Sequence, residues 1–199
     1  MPTKLILIRH GQTAWNLQKR YCGLKDIGLS YKGKKQVLAL RNRLAGEKIH
    51  KIYSSDKKRT IQTAKIIFQG SSVEKITDLR EMNFGCFEGF THREITKIYP
   101  GVYQRWLKDP FSTAVPGGER LINFKKRVVR ALKKIIIENK NMTTAVVCHG
   151  GVISIFLTSI LKSKDFWGQI PGAASLSIVE FSNGKAEIKL FNDIAHLNG

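Results

Sequence analysis

Residues 5–16 read LILIRHGQTAWN, four apolar residues followed at once by an arginine, a histidine and a glycine. A short apolar run rich in isoleucine predicts a strand that is buried on both faces, as in a parallel sheet. In open α/β sheets, ligands bind just beyond the carboxyl ends of the strands. Arg9 and His10 are expected there, and Gly11 lets the backbone turn sharply beside a ligand. This stretch therefore predicts both the sheet and the place of a binding site.

A second apolar run ends in the same way. Residues 143–151 read TTAVVCHGG, so His149 follows a predicted strand just as His10 does. If the two strands are neighbours in one sheet, both histidines meet at its carboxyl edge. Gly150 lets the backbone amides of the following helix approach an anion, which makes it a candidate substrate-binding residue. A lone histidine is more often a core or surface group than a catalyst, but two at matching strand ends favour a site.

The rest of the chain alternates strands and helices. The predicted order is strand, helix, strand, helix, strand, a helical insertion, helix, strand, helix and a final hairpin. This order predicts an α/β fold, a three-layer α/β/α sandwich whose central sheet is mostly parallel and carries an antiparallel C-terminal strand or hairpin. We expect one domain over residues 1–199, with a small helical cap inserted at about 90–118.

Some helix boundaries have local sequence signals. Ser30 is predicted to cap a helix that runs to about Glu47. Ser54-Ser55-Asp56 offers several N-cap residues for the next helix. Thr91 and Glu94 have the spacing of a capping box and predict the start of a helix in the cap.

Composition favours a cytoplasmic globular protein. The hydrophobic content of 42% and charged content of 25% are ordinary for that class. No apolar run approaches the roughly 18 residues of a membrane span, and Met1–Lys4 leads straight into the first strand, so we expect no signal peptide and no membrane partner. Cys22, Cys86 and Cys148 lack CxxC spacing, which favours reduced thiols.

The net charge of +19 is the unusual number in the composition. It is consistent with a polyanionic partner such as RNA. It is also consistent with a lysine-rich solvated surface that helps a small anionic substrate to arrive. We favour the second interpretation, without a nucleic-acid partner, because no aromatic residues are interleaved as a base-stacking platform would require.

The oligomeric state is left open by the C-terminal segment. Asn183-Gly184 predicts a type I′ turn and therefore a β-hairpin at the end of the chain. This hairpin could close its own sheet or pair across the edge of a homodimer.

Two arginines are candidates for binding an anion at the predicted edge. Arg9 precedes His10 directly, and Arg59 lies near the start of the helix that follows the second strand. Guanidinium groups form bidentate, charge-assisted hydrogen bonds with phosphate oxygens. The alternative for Arg59 is a surface position on a basic helix.

A carboxylate that could act as an acid lies in residues 79–85, LREMNFG. Glu81 is surrounded there by bulky apolar residues, and a partly buried carboxyl group suits a general acid. The alternative is that Glu81 forms a salt bridge with Arg80. Glu88 competes for the same catalytic role on chemical grounds.

The sequence lacks the usual metal motifs, so we expect no metal and no other cofactor. It has no HExxH, no paired cysteines and no aspartate cluster suited to magnesium. A neutral imidazole can attack phosphorus and form a phosphohistidine, while arginines stabilise the phosphate oxygens. Two histidines could also exchange protons in ribonuclease chemistry. The residues themselves leave phosphoryl transfer and RNA cleavage both open.

Four segments in order resemble the motifs of one family. Residues 7–16, 53–64, 79–89 and 147–151 resemble those of the histidine phosphatase superfamily, the phosphoglycerate mutase-like proteins. The resemblance implies a phosphoglycerate mutase-like fold and a small-molecule phosphoester substrate. It also implies phosphoryl transfer rather than RNA cleavage.

The resemblance implies roles for individual residues. It makes His10 the phosphorylated nucleophile and Glu81, rather than Glu88, the proton donor. The remaining residues that it places around the substrate phosphate are Arg9, Arg59, His149, Asn16 and Gly23. At position 22 this sequence departs from the family: it has a cysteine where the family often has a polar residue that can bind phosphate.

Three further segments suggest a branch of the family. Residues 88–89, 106–110 and 116–119 look most like the α-ribazole phosphatases and broad-specificity phosphatases. This implies a phosphomonoesterase, with α-ribazole 5′-phosphate, a precursor of the cobalamin lower ligand, as the first expected substrate. A phosphoglycerate mutase is the alternative within the family.

Overall fold

The computed structural model describes residues 1–163 and 165–198 and is built around one sheet of six strands. The strands are β1 (Thr3–Arg9), β2 (Lys51–Ser54), β3 (Glu74–Lys75), β4 (Thr143–Cys148), β5 (Leu176–Ser182) and β6 (Lys185–Asp193). Their order across the sheet is β3-β2-β4-β1-β5-β6. The first four of these run parallel, and β5 is antiparallel to both of its neighbours.

The two apolar strands that end in histidine are neighbours. β1 pairs with β4 in parallel, and Arg9 lies opposite Cys148 in the register. Because the strands end level with each other, the residues that follow them emerge at one point of the sheet edge. The predicted adjacency is therefore confirmed.

Helices cover both faces of the sheet. They are α1 (Ala14–Leu17), α2 (Tyr31–Arg43), α3 (Lys58–Ile67), α4 (His92–Ile98), α5 (Pro100–Lys108), α6 (Leu121–Glu138) and α7 (Gly150–Leu161). Ile6 and Ile8 of β1 pack in the core beneath α2 and α3. Leu5 and Leu7 point the other way, into the core beneath α6 and α7. Burial of each such side chain contributes about 1.5–3 kcal/mol, and the predicted three-layer sandwich is confirmed.

The local signals at helix starts were correct in two places and wrong in one. The Ser30 hydroxyl accepts a hydrogen bond from the Gly33 amide at 3.0 Å and caps α2 as predicted. Thr91 begins α4 with the predicted capping box. The N-cap of α3 is Lys57, which makes no side-chain capping bond, so the prediction that residues 54–56 cap this helix is wrong. The Ser54 hydroxyl donates to the Ser55 carbonyl, and the side chains of Ser55 and Asp56 have partners described below.

The end of α2 was also misplaced. This helix ends at Arg43 rather than near Glu47, because Leu44 turns into the core as the C-cap residue and is only 5% exposed. At the C terminus, Asn183 and Gly184 both have positive φ, at 50° and 74°, as a type I′ turn requires. The resulting hairpin joins β5 and β6 to the sheet of its own chain.

The stretch predicted as a cap contains α4 and α5. Their inner residues join an aromatic cluster in which the Trp106 and Trp167 rings lie 4.8 Å apart between centroids. Tyr21 and Phe87 pack edge-on against Trp106 in the same cluster. Within the described ranges, no helix combines the length and apolar character needed to cross a membrane.

Candidate active site

His10 is held by the backbone on both sides and is only 4% exposed. Its amide donates to the Cys148 carbonyl at 3.1 Å, and its carbonyl accepts from the Ala174 amide at 3.0 Å. The ring Nδ1 lies 2.8 Å from the Gly11 carbonyl oxygen. Because a carbonyl oxygen can only accept, Nδ1 carries the proton. The Nε2 lone pair is therefore available for bonding to a substrate.

His149 is fully buried, and both of its ring nitrogens are engaged. Nδ1 accepts a hydrogen bond from Arg59 Nε at 3.2 Å. Since this leaves the proton on the other nitrogen, Nε2 donates to the Ser55 hydroxyl at 3.0 Å. The His10 and His149 rings lie 5.3 Å apart between centroids and are inclined by 67°.

Both histidines are held in the neutral form. Burial lowers the pKa of His10 well below its usual value, and the positive charges of Arg59 and Arg9 lower it further. Burial and the Arg59 charge likewise lower the pKa of His149. A neutral imidazole is the form that can act as a nucleophile.

Arg59 is buried at 1% exposure, so the alternative of a surface position is wrong. Its Nη1 donates to the Lys25 carbonyl at 2.9 Å, and its Nη2 donates to the Gly23 carbonyl at 2.9 Å. Gly23 lies so close to the next loop that an added Cβ would be 2.1 Å from the Met82 carbonyl oxygen. Only glycine fits there, and Arg59 fixes this loop while its Nε holds His149.

Arg9 brings a second guanidinium to the same edge. Its Nη1 donates to the Pro171 carbonyl. Its Nε is buried and has no hydrogen-bond partner among the described residues. Burial lowers the pKa of Arg9, but a guanidinium stays charged in proteins. A buried cation with an unused N–H is suited to an anionic ligand.

The side chain of Glu81 reaches from its own loop to the first turn of α7, which follows the second strand end. Glu81 is 8% exposed. Its Oε1 accepts a hydrogen bond from the amide of the next residue, Met82, at 2.9 Å, and its Oε2 accepts one from the Gly151 amide at 2.9 Å. A Cβ on Gly151 would lie 2.3 Å from Oε1, so this carboxylate needs a glycine there. The alternative salt bridge with Arg80 is wrong, because Arg80 donates both Nε and Nη2 to Asp56 instead.

Glu88 is committed to the loop beneath Arg59. Its two oxygens accept from the amides of Leu24 at 2.6 Å and Lys25 at 3.1 Å. In the same loop the Cys22 carbonyl accepts from Arg59 Nη2 at 3.4 Å, while the Cys22 thiol lies 3.8 Å from the Lys25 carbonyl. Burial raises the pKa of this thiol, which favours its neutral form. Both carboxylates thus accept two main-chain amides, but Glu88 bonds to the loop beneath Arg59, whereas Glu81 bonds to Gly151, two residues beyond His149. This position favours Glu81 as the acid.

Asn16 and Gly150 lie in the first turns of two helices, α1 and α7. Asn16 Oδ1 accepts from the amide and the hydroxyl of Thr13, both at 3.0 Å, and this capping box fixes the orientation of its side chain. Gly150 is the first residue of α7, and an added Cβ would lie 3.3 Å from Arg9 Nε. The structure thus places Gly150 beside the buried Arg9 guanidinium, while the contacts of the Asn16 side chain are with Thr13.

Two residues that contact the site were missed from the sequence. Ser55, which binds His149, directly follows β2 and so had the strand-end signal, but its position just before a helix favoured a capping role. Arg127 on α6 donates to the Glu81 carbonyl at 3.1 Å, and no local pattern marks it. In the described ranges, no group of three or more His, Cys, Asp and Glu side chains is placed to hold a metal ion.

Several known proteins are similar to this chain in sequence and in fold. Residues 5–194 match the model of the histidine phosphatase superfamily (branch 1). Phosphoserine phosphatase 1 of Hydrogenobacter thermophilus is 33% identical over 98% of this chain and 94% of its own length. The crystal structure of phosphoserine phosphatase from Entamoeba histolytica, in complex with 3-phosphoglyceric acid, has a TM-score of 0.90 at 28% identity, covering 98% of this chain and 99% of that one. The α-ribazole phosphatase from Shigella flexneri has a TM-score of 0.87 at 25% identity, covering 96% and 97%.

Proposed function

This chain belongs to branch 1 of the histidine phosphatase superfamily and is a phosphoric monoester hydrolase. From that premise we propose that it cleaves small phosphomonoesters through a phosphorylated His10 and without a bound metal. One observation carries the proposal. The Nδ1 proton of His10 is held by the Gly11 carbonyl, which leaves Nε2 as a neutral nucleophile near two buried cations, Arg59 and Arg9.

In the first step the His10 Nε2 lone pair attacks phosphorus. The N–P bond forms as the ester P–O bond breaks, and the leaving alkoxide takes a proton from the Glu81 carboxyl group. In the second step the Glu81 carboxylate takes a proton from water, whose oxygen attacks phosphorus. The N–P bond then breaks, which returns neutral His10 and releases inorganic phosphate.

The charge that develops on the phosphate oxygens is met by fixed groups. Arg9 contributes a buried cation with a free Nε–H. Arg59 contributes a second cation whose position is fixed by loop carbonyls and by His149. Preorganised charges in a site with little water stabilise the transition state more than they would in bulk solvent. Asn16, Gly23 and Gly150 complete the proposed phosphate pocket.

We propose O-phosphoserine as the first substrate to test. Its support is the Hydrogenobacter relative, which is 33% identical to this chain and is named a phosphoserine phosphatase. α-Ribazole 5′-phosphate remains the second candidate, supported by the Shigella structure and by the resemblance of residues 88–89, 106–110 and 116–119. We propose that the cap at about 90–118 selects the alcohol part of the substrate, since its Trp106 ring packs against Tyr21, two residues before Gly23. A cytoplasmic location stays a proposal, supported by three free cysteines.

The test is to trap the covalent intermediate. After brief incubation with labelled O-phosphoserine and quenching, the wild-type protein should carry an acid-labile, alkali-stable phosphate, and His10→Gln should carry none. Hydrolysis should continue in EDTA. An adduct on His10→Gln, or loss of turnover in EDTA, would overturn the mechanism.

A substrate panel separates the remaining alternatives. Turnover of O-phosphoserine, α-ribazole 5′-phosphate, 3-phosphoglycerate and an aryl phosphate should be compared under one condition. Isomerisation of 3-phosphoglycerate would make the protein a mutase. If no ester is hydrolysed, and RNA binds with a steep salt dependence that survives loss of both site histidines, the RNA-binding alternative is the better account.

A further inference from the structure

The loop that carries Glu81 lacks strand pairing of its own. β3 ends at Lys75, and the backbone then passes through a short 3₁₀ turn before reaching Glu81. Main-chain carbonyls in such a segment need partners from elsewhere. One side chain of α6 supplies these hydrogen-bond donors. Arg127 Nη1 donates to the carbonyls of Asp78 and Arg80, both at 2.8 Å, and Nη2 donates to the Glu81 carbonyl at 3.1 Å.

Arg127 is itself held rigidly. Its Nε and Nη2 donate to the two carboxylate oxygens of Glu119 at 2.7 and 2.8 Å. Its guanidinium lies 4.8 Å from the centroid of the Phe124 ring. Both side chains of this ion pair are 18% exposed, so water competes little for them. The five contacts use all five N–H donors of an arginine, and the guanidinium therefore has one favoured position.

We infer that Arg127, fixed by Glu119, is a positioning residue that sets Glu81 as the proton donor. This inference rests on the proposed function. Arg127 contacts only the main chain of Glu81, so it acts through that residue and does not touch substrate. The Glu81 carboxylate must reach the Met82 and Gly151 amides and the leaving oxygen at once. Because proton transfer requires hydrogen-bond distances, a shift of about 1 Å in the main chain removes most of the benefit.

The chain offers a matched control on the same helix. Arg130 lies three residues further along α6 and donates to Asp78 Oδ2 at 2.9 Å, but its side chain is 75% exposed. It binds a side chain of the same loop and makes no hydrogen bond to the main chain of Glu81. Replacing Arg130 therefore removes the same charge from the same helix without releasing the acid.

The readout is the dependence of kcat/KM on the leaving group. An alkyl ester such as O-phosphoserine needs a proton on its leaving oxygen. The leaving group of 2,4-dinitrophenyl phosphate, 2,4-dinitrophenolate, is a stable anion and departs without one. We expect Arg127→Gln to lower kcat/KM for the alkyl ester by about 30-fold or more and for the dinitrophenyl ester by less than about threefold. Arg127→Lys should show the same pattern more weakly, because an ammonium group cannot span three carbonyls and a carboxylate. Arg130→Gln should change both values by less than about twofold.

A double variant separates positioning from general damage. In the Glu81→Gln background, Arg127→Gln should lower the alkyl-ester rate by less than about threefold further, because the two changes remove one function. Equal losses on both esters, or a full additional loss in the double variant, would overturn the inference. If Arg127→Gln does not fold, the ratio of the two rates in Arg127→Lys decides the question. A wild-type protein that hydrolyses neither ester would instead contradict the proposed function.

Discussion

At the end of β1 the His10 ring keeps one nitrogen free, whereas at the end of β4 both nitrogens of His149 are engaged. Both strand ends are an apolar run followed by a His-Gly pair, with level register and similar burial. What differs is the set of hydrogen-bond partners around each ring. Among the described residues, the His10 ring hydrogen-bonds only to a carbonyl oxygen, but the His149 ring bonds to Arg59 on one side and Ser55 on the other. The role of each histidine is therefore set by its neighbours and not by its strand.

Two glycines that follow these histidines, Gly11 and Gly151, also differ in what they contact. A Cβ on Gly11 would lie 2.6 Å from Val37 Cγ2 and 2.7 Å from the Gly33 carbonyl oxygen, so Gly11 lets α2 pack closely against the strand end. A Cβ on Gly151 would meet the Glu81 carboxylate. One glycine thus serves helix packing, and the other serves the position of the acid.

The largest expected effect comes from exchanging the two histidines for glutamine one at a time. His10→Gln should lower kcat by about 10⁴-fold or more and give no phosphoenzyme, because it removes the nucleophile. His149→Gln should lower kcat by about 10²- to 10³-fold and still give the adduct, because it loosens Arg59 without removing the attacking atom. The adduct and kcat should be measured on the same preparations. Loss of the adduct in a folded His149→Gln protein would contradict the division of roles.

A smaller effect is expected from adding one methyl group at each glycine. Gly151→Ala should lower kcat/KM for an alkyl ester by about 10- to 100-fold, because the carboxylate of Glu81 must move. Gly11→Ala should instead lower the free energy of unfolding by about 1–3 kcal/mol, because its contacts are with α2. Urea denaturation and steady-state kinetics on both variants check this. Should Gly11→Ala prove as stable as the wild type, the close approach of α2 would not be needed.

The sequence was sufficient where a few neighbouring residues decide the outcome. The strand ends at His10 and His149, the cap at Ser30 and the turn at Asn183 depend on residues within four positions of each other, and they were predicted correctly. Ser55 was misjudged because serine before a helix usually caps it, and its true partner, His149, is 94 residues away. Local propensity could not anticipate that contact.

Arg127 shows a stronger limit on prediction. It is one cation in a helix with many, and its sequence surroundings do not distinguish it from Arg130. Its role comes from the packing of α6 beside the Glu81 loop and from Glu119, which lies just before the helix. Only the tertiary fold brings three carbonyls and a carboxylate around one guanidinium.

The smallest expected effect, a pH dependence of stability, tests how completely both strand ends are kept neutral. Burial lowers the pKa of His10 and of His149 well below the usual 6.5 in the folded protein. Between that value and the folded pKa, only the unfolded chain takes up these protons. The free energy of unfolding should therefore be unaffected by these two histidines above about pH 7. It should fall as the pH drops from about 6.5 to 5, with a slope of up to about 1.4 kcal/mol per pH unit for each histidine.

The variant His149→Asn should remove one such contribution from the slope. Burial also lowers the pKa of His196, but its contribution is common to both proteins and cancels in the difference. Urea unfolding of the wild type and the variant at several pH values gives the two slopes, and equal slopes would mean that His149 titrates alike in the folded and unfolded chains.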